Sequence, residues 1–268
     1  MTGAKVGEVR NDGVDRYLAR IGYTGRRAPT VNTLRKLQLG HLINVPFENL
    51  DVFHRRGVRV DVNWSFQKIV ARRRGGWCYE LNGSFGALLE QLGYRVARLA
   101  SRTFEPGTGG LSPDFDHIAL LVRVGTDRYL VDVGWGDCAL APIPAEPGEY
   151  KTRPRPVRIE TTADSLRLIE RVERFDGETV WELQYEASLH PRALADFDAR
   201  SRYLQTEPGL NWTEKPLVTR ATSAKGGRLT LHADRLRTRQ DDLTFVDEPV
   251  TPEGWPGVLE DRFGITPP

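Results

Sequence analysis

The period of the apolar residues changes once, near residue 94, and that change constrains the fold more than any other feature of the 268 residues. Before it the spacing is helical. "VDRYLARIGY" puts Val14, Tyr17, Leu18 and Ile21 on one stripe. "NTLRKLQLGHLI" repeats apolar residues at helical spacing, with a cap expected at Asn32 and a stop ahead of Pro46. "CYELNGSFGALLEQLGY" carries Cys78, Leu81, Phe85, Leu88 and Leu92 on one face and ends at Gly93. Beyond residue 94 the apolar segments are short, often alternating and broken by turn residues: "YRVARLASRTF", "DHIALLVRV", "DRYLVDVGW", "SLRLIERVERF". "RFDGETVWEL" has Asp-Gly where a hairpin would turn.

The pattern predicts an α+β fold in three regions: helical over 1–93, an antiparallel barrel or sandwich over 94–188, and mixed structure over 189–268. Within the last, "PRALADFDARSRYLQT" reads as a helix, "PLVTRAT" and "GRLTLHADRLRTR" as strands, and "TPEGWPGVLEDRFG" as a closing helix. The proline-rich "APIPAEPGEYKTRPRP" reads as a surface excursion between strands.

Charge excludes some classes of partner. Lys+Arg 38 against Asp+Glu 36 leaves a net charge of +2, which points to neither nucleic acid nor an acidic membrane. No stretch reaches the roughly 18 apolar residues of a membrane span, and the first residues lack the apolar core of a secretory signal. The expectation is a cytoplasmic protein whose two cysteines, Cys78 and Cys138, stay unpaired. The five histidines are scattered and no CxxC or HExxH occurs, so no metal site is expected.

Cys78 follows two glycines at the start of the third helix. Gly75 and Gly76 are read as a tight entry, because glycine adopts backbone conformations other residues avoid. A thiol in the first helical turn lies among amide N–H groups without intrahelical partners, which favour a thiolate and a developing oxyanion. A buried, inert cysteine is the competing reading. A nucleophilic thiol needs a base, and the base an orienter. "DFDHIALLVRVGTDRYLVDVGWGD" supplies His117 and Asp132 on one hairpin. If Val124 pairs with Asp127, Asp132 opposes Ala119 and shares a face with His117. If Val124 pairs with Arg128, Asp132 points the other way, so the arrangement needs the first register, a four-residue loop of the same parity, or a bulge. A solvent-facing histidine and a sheet-edge aspartate remain the alternative.

"RYLARIGYTG", "TLRKLQLGHLINVPFENLDV", "RGGWCYELNGSFGALLEQLGY", "DHIALLV" and "YLVDVGWGD" resemble, in order, the signatures of the arylamine N-acetyltransferase family. The resemblance implies a helical bundle, a β-barrel and an α/β lid around a cysteine-protease-like catalytic core. It implies a triad of Cys78, His117 and Asp132. It also implies acetyl-CoA as co-substrate, with no permanently bound cofactor, and an arylamine, arylhydrazine or N-hydroxyarylamine as acceptor. Phe47, Trp77, Tyr79 and Trp135 are the expected apolar wall of the substrate pocket, with core packing as the other explanation for them. Glu48 and Glu80 are read as structural carboxylates paired with Arg72, Arg73 or Arg74. Thr206, Lys225, Gly226 and Gly227 are the candidates for contact with CoA. Glu207 departs from the family pattern there, since a carboxylate does nothing for phosphate binding. That departure keeps open an amide synthase taking a longer acyl chain from a carrier protein. A thiol hydrolase with the same triad is the second alternative.

Overall fold

The structure, a computed structural model, describes residues 11–173 and 177–267. Helices α1 (Asn11–Arg20) and α2 (Val31–Asn44) come first. Val14, Tyr17, Leu18 and Ile21 are buried along one face, as the stripe predicts. The cap of α2 is Thr30 and not Asn32: the Thr30 hydroxyl accepts from Thr33 N at 3.2 Å. Both residues have capping chemistry. The Tyr94 hydroxyl also donates to the Thr30 carbonyl at 2.9 Å, holding the chain at the cap two residues before Asn32.

The two-residue strand β1 (Phe47–Glu48) follows, then the short helices α3 (Leu50–Phe53) and α4 (Val62–Phe66) and the central helix α5 (Cys78–Gln91). Leu81, Phe85 and Leu88 of α5 are buried in the main core. Each such side chain contributes about 1.5–3 kcal/mol of burial.

The second region runs through β2 (Arg95–Glu105), β3 (Gly110–Leu111), β4 (His117–Val124), β5 (Asp127–Val131), β6 (Ile143–Pro144), β7 (Gly148–Tyr150), β8 (Val157–Thr161), β9 (Ser165–Glu173) and β10 (Thr179–Arg192). These make one antiparallel sheet in the order β6-β5-β4-β2-β10-β9-β8-β7, with β3 paired to β2. It curls into a nearly closed barrel. Strand β4 explains its own sequence. Ile118, Leu120 and Val122 pack with the helices, while Ala119 faces the interior with Leu99, Leu130 and Tyr185. A strand buried on both faces reads as a continuous apolar run. β9 and β10 form the expected hairpin, although Asp176 of its Asp-Gly step lies outside the described residues.

The proline-rich stretch is not a mere excursion. It carries β6 and β7, and Ile143 and Ala145 are buried in the barrel core. Pro144 sits in the edge strand β6, where a missing donor costs least. β10 also runs through residue 188 to Arg192, so a boundary at 188 divides a strand.

The last region holds α6 (Asp198–Thr206), α7 (Asn211–Glu214), strands β11 (Leu217–Ala221), β12 (Arg228–His232), β13 (Arg235–Arg239) and β14 (Phe245–Pro249), and α8 (Trp255–Val258). Its sheet has the order β1-β11-β12-β13-β14, so the helical region lends it an edge strand. A second tie is Asp137, which receives Arg155, Arg228 and Arg239 from both sides at 2.6–2.9 Å.

Candidate active site

The two glycines ahead of Cys78 serve close approach, not unusual torsions; neither has a positive φ. A Cβ on Gly75 would lie 2.2 Å from the Pro46 carbonyl oxygen, and one on Gly76 would lie 2.9 Å from Glu80 Cβ. The chain before α5 therefore lies directly against the β1 segment, bonded through Glu48 N to Gly76 O at 2.8 Å. Cys78 is the first residue of α5, behind an extended Trp77. From the far side, Gly134 packs so tightly that a Cβ there would be 2.8 Å from Cys78 Cα.

Both cysteines are free and buried. Burial pushes the Cys78 thiol up, and the charges of Asp116 and Asp132 add to this; the N–H groups of Tyr79 and Ile118 pull it down by less. The helix start alone therefore does not deliver the lowered thiol expected from sequence.

Val124 pairs with Asp127, the register that puts Asp132 on the His117 face. His117 Nε2 lies 2.7 Å from Asp132 Oδ2. Asp132 has three further donors: Asn82 Nδ2 at 2.8 Å and Gly134 N at 2.9 Å to Oδ1, and the Tyr185 hydroxyl at 3.1 Å to Oδ2. Burial would raise its carboxyl, but His117 and these donors overcome that and hold it below the ordinary aspartate value. Asn82 organises the site further, donating to Ile118 O at 2.7 Å and accepting from Val133 N at 3.0 Å. Trp135 and Tyr185 hold the His117 ring between them, with centroids 5.0 and 5.1 Å away.

Cys78 and His117 line one cavity of about 590 Å³, together with Phe47, Trp77, Tyr79 and Trp135. Trp212, Asp116 and Arg200 of the same wall were not foreseen. Thr206, Lys225, Gly226 and Gly227 lie elsewhere. Thr206 borders a separate hollow with Val52 and Arg55. Lys225 is exposed, 3.8 Å from Asp241, and the two glycines belong to the turn between β11 and β12.

Behind Cys78 one of the two carboxylates finds an expected partner and the other does not. Glu48 does pair with Arg74, at 2.8 Å. Glu80 instead meets Lys68 at 3.0 Å, and Lys68 also reaches Asp51 at 2.8 Å and Glu48 at 3.6 Å. Arg72 is exposed and lies over the Trp64 ring, 5.7 Å from its centroid.

A sequence model described as N-acetyltransferase matches residues 30–267. The arylamine N-acetyltransferase of Mycolicibacterium smegmatis is 37% identical over 81% of this chain and 81% of the relative. The chain belongs to the arylamine N-acetyltransferase family. The Escherichia coli member is 31% identical over 94% of this chain and 88% of its own length. The Mycobacterium marinum enzyme, solved in complex with CoA, has a TM-score of 0.84 at 31% identity, covering 94% of this chain and 92% of that one.

Membership of the arylamine N-acetyltransferase family displaces the thiol hydrolase alternative, since this is a family of acyl transferases. Sequence reasoning missed Asn82, although it stands four residues after Cys78 and so on the same helical face. It also missed Tyr185, whose alternation in "WELQYEA" marks an inward position but not a hydroxyl aimed at Asp132. Lys68 gave no signal at all.

Proposed function

We propose that this protein moves an acetyl group from acetyl-CoA to an arylamine, arylhydrazine or N-hydroxyarylamine through a thioester on Cys78. One observation carries the reading: Cys78 and His117 share a cavity wall, with Asp132 behind His117, in a chain of this family. With Nε2 held by Asp132, Nδ1 is the ring nitrogen left to take the thiol proton. A thiol pushed up by burial must be ionised by such a base, and the ionised Asp132 stabilises the imidazolium that results.

The thiolate attacks the acetyl carbonyl, and N–H groups at the start of α5 meet the developing oxyanion. The carbon–sulfur bond to CoA breaks, and CoA leaves with the proton from His117. The amine then attacks the Cys78 thioester, gives its proton to His117 and expels the cysteine sulfur. Transfer prevails over hydrolysis while the aromatic wall of Phe47, Trp77, Tyr79 and Trp135 keeps water from the thioester. In this reading the helical region over 1–93 brings Cys78, the region over 94–188 brings His117 and Asp132, and the region over 189–268 acts as the lid. Thr206, Lys225, Gly226 and Gly227 have no role at its reacting end. Among the described residues no helix is long and apolar enough to cross a membrane. A cytoplasmic setting belongs to the same proposal and suits two unpaired cysteines.

Intact-mass spectrometry after brief exposure to acetyl-CoA tests the reading. One acetyl group is expected on the protein, none on Cys78→Ala, and its loss on adding arylamine. Labelling by a longer acyl thioester, on CoA or on an acyl carrier protein, with none by acetyl-CoA would replace the donor. An acetyl group retained in Cys78→Ala would overturn the nucleophile.

A further inference from the structure

Asp116 is the residue immediately before His117, and it also faces the cavity. A carboxylate there works against the chemistry, because a negative charge beside Cys78 opposes ionisation of the thiol. The structure answers it from another region. Arg200 of α6 places both Nε, at 2.9 Å, and Nη2, at 2.6 Å, on Asp116 Oδ1. Thr103 donates to the other carboxylate oxygen at 2.9 Å. The Asp116 backbone is held as well, its carbonyl accepting from the Tyr79 hydroxyl at 3.2 Å. Among the described residues, Arg200 is the cation paired with Asp116. The pair is largely shielded, with side chains 18% and 12% exposed, so water does little to screen it.

We propose that Arg200 is a positioning residue that sets the acidity of Cys78 by neutralising Asp116. The proposal rests on Cys78 being the nucleophile. The geometry gives the lid helix an electrostatic part in the reaction without any contact between Arg200 and the reacting atoms. With α6 docked, the groups facing the thiol are the His117 imidazole and the Asp132 carboxylate from the hairpin and an Asp116 already paired. Burial keeps the phenols of Tyr79 on α5 and Tyr185 on β10 neutral, and Glu105 of β2, His232 of β12 and Lys215 also line the cavity. Withdraw Arg200, and Asp116 adds an uncompensated negative charge next to the base. Arginine suits the task because its fork puts two donors on one oxygen and it keeps its charge at any working pH.

The test is the pH dependence of Cys78 alkylation by iodoacetamide, read by peptide mass so that Cys138 is counted separately. Arg200→Gln should move the profile to higher pH, and Asp116→Asn to lower pH, each by about half a unit to one unit. The double variant, which removes both charges, should return close to the parent, as should Arg200→Lys, which keeps the charge. A pair that only braces the fold gives a different pattern: both single variants move in the same direction, or neither moves. Either result overturns the proposal. If Asp116→Asn does not fold, Arg200→Gln against Arg200→Lys decides alone, since equal profiles for those two also overturn it. An unreactive Cys78 in the parent protein would instead remove the nucleophile, a failure separate from that of the clamp.

Discussion

Two buried carboxylates flank the first turn of α5, and they end at opposite extremes. Asp132 lies in front of Cys78 and Glu80 two residues behind it, 6% and 0% exposed. Burial pushes both up. Asp132 nevertheless sits below its ordinary value, whereas Glu80 is raised to about 7. The difference is the supply of donors. Asp132 has four to itself. Glu80 shares Lys68 with Glu48 and Asp51, whose charges raise it further, and its Oε1 has no partner among the described residues. Burial does not fix the state of a carboxylate; the donors that come with it do.

The largest expected effect comes from removing the charge where the donors are plentiful. Asp132→Asn puts an amide NH2 among groups that all donate, so one side of the residue must face a donor with a donor. The imidazole then loses both its orienter and its counter-charge. Acetyl transfer from the Cys78 thioester should fall by about three orders of magnitude, read as single-turnover rate against the parent. A loss under tenfold would break the comparison, because the four donors would then be structural only.

The next effect tests the shortage on the other side. Lys68→Met leaves Glu48 and Asp51 with Arg74, and leaves Glu80 without a paired cation among the described residues. Removing one partner from a buried cluster costs about 3 kcal/mol of unfolding free energy at neutral pH, measured in urea. Adding Glu80→Gln to it should recover part of that loss, since one uncompensated carboxylate disappears. A Lys68→Met protein within 1 kcal/mol of the parent, on the scale of a surface pair, would mean that the lysine is not what holds these carboxylates together.

How much of this was legible in the sequence follows the range over which each signal acts. The stripes of α1 and α5 repeat within one turn, and both appear where the sequence places them. The His117–Asp132 pairing was legible up to its register: both residues lie on one hairpin, but parity alone does not choose between a two-residue turn and a shifted one. The Phe47–Glu48 strand was not legible, because two residues carry no alternation and the partner at 218–219 is far along the chain. β14 failed for another reason. All five of its residues are exposed, so no apolar face marks it as a strand. Lys68 is the hardest case. "SFQKIV" reads as an ordinary helical stretch, and the acids that justify a buried lysine come from three other segments.

The smallest effect is also the sharpest discriminator. Glu80 in the folded protein, at about 7, stands above an ordinary glutamate. The folded state therefore keeps a proton that the unfolded chain has released. The stability this confers is whole below the unfolded value near 4.3 and is lost as pH rises through the folded one. Asp132 has the opposite sign: its contribution is present above the ordinary aspartate value near 3.9 and disappears as pH falls through its lower folded value. Glu80→Gln is neutral at every pH. Its stability relative to the parent should rise by roughly 2–3 kcal/mol between pH 5 and pH 8, as the parent takes on an extra charge in a cluster short of cations. Both proteins should weaken together at lower pH as Asp132 takes up its proton. Unfolding free energy measured in urea from pH 2 to pH 8 separates the two carboxylates, Asp132 acting below about pH 4 and Glu80 above it. If the parent and variant curves run parallel throughout, Glu80 is as well supplied with donors as Asp132, and the contrast between the two sides of Cys78 fails.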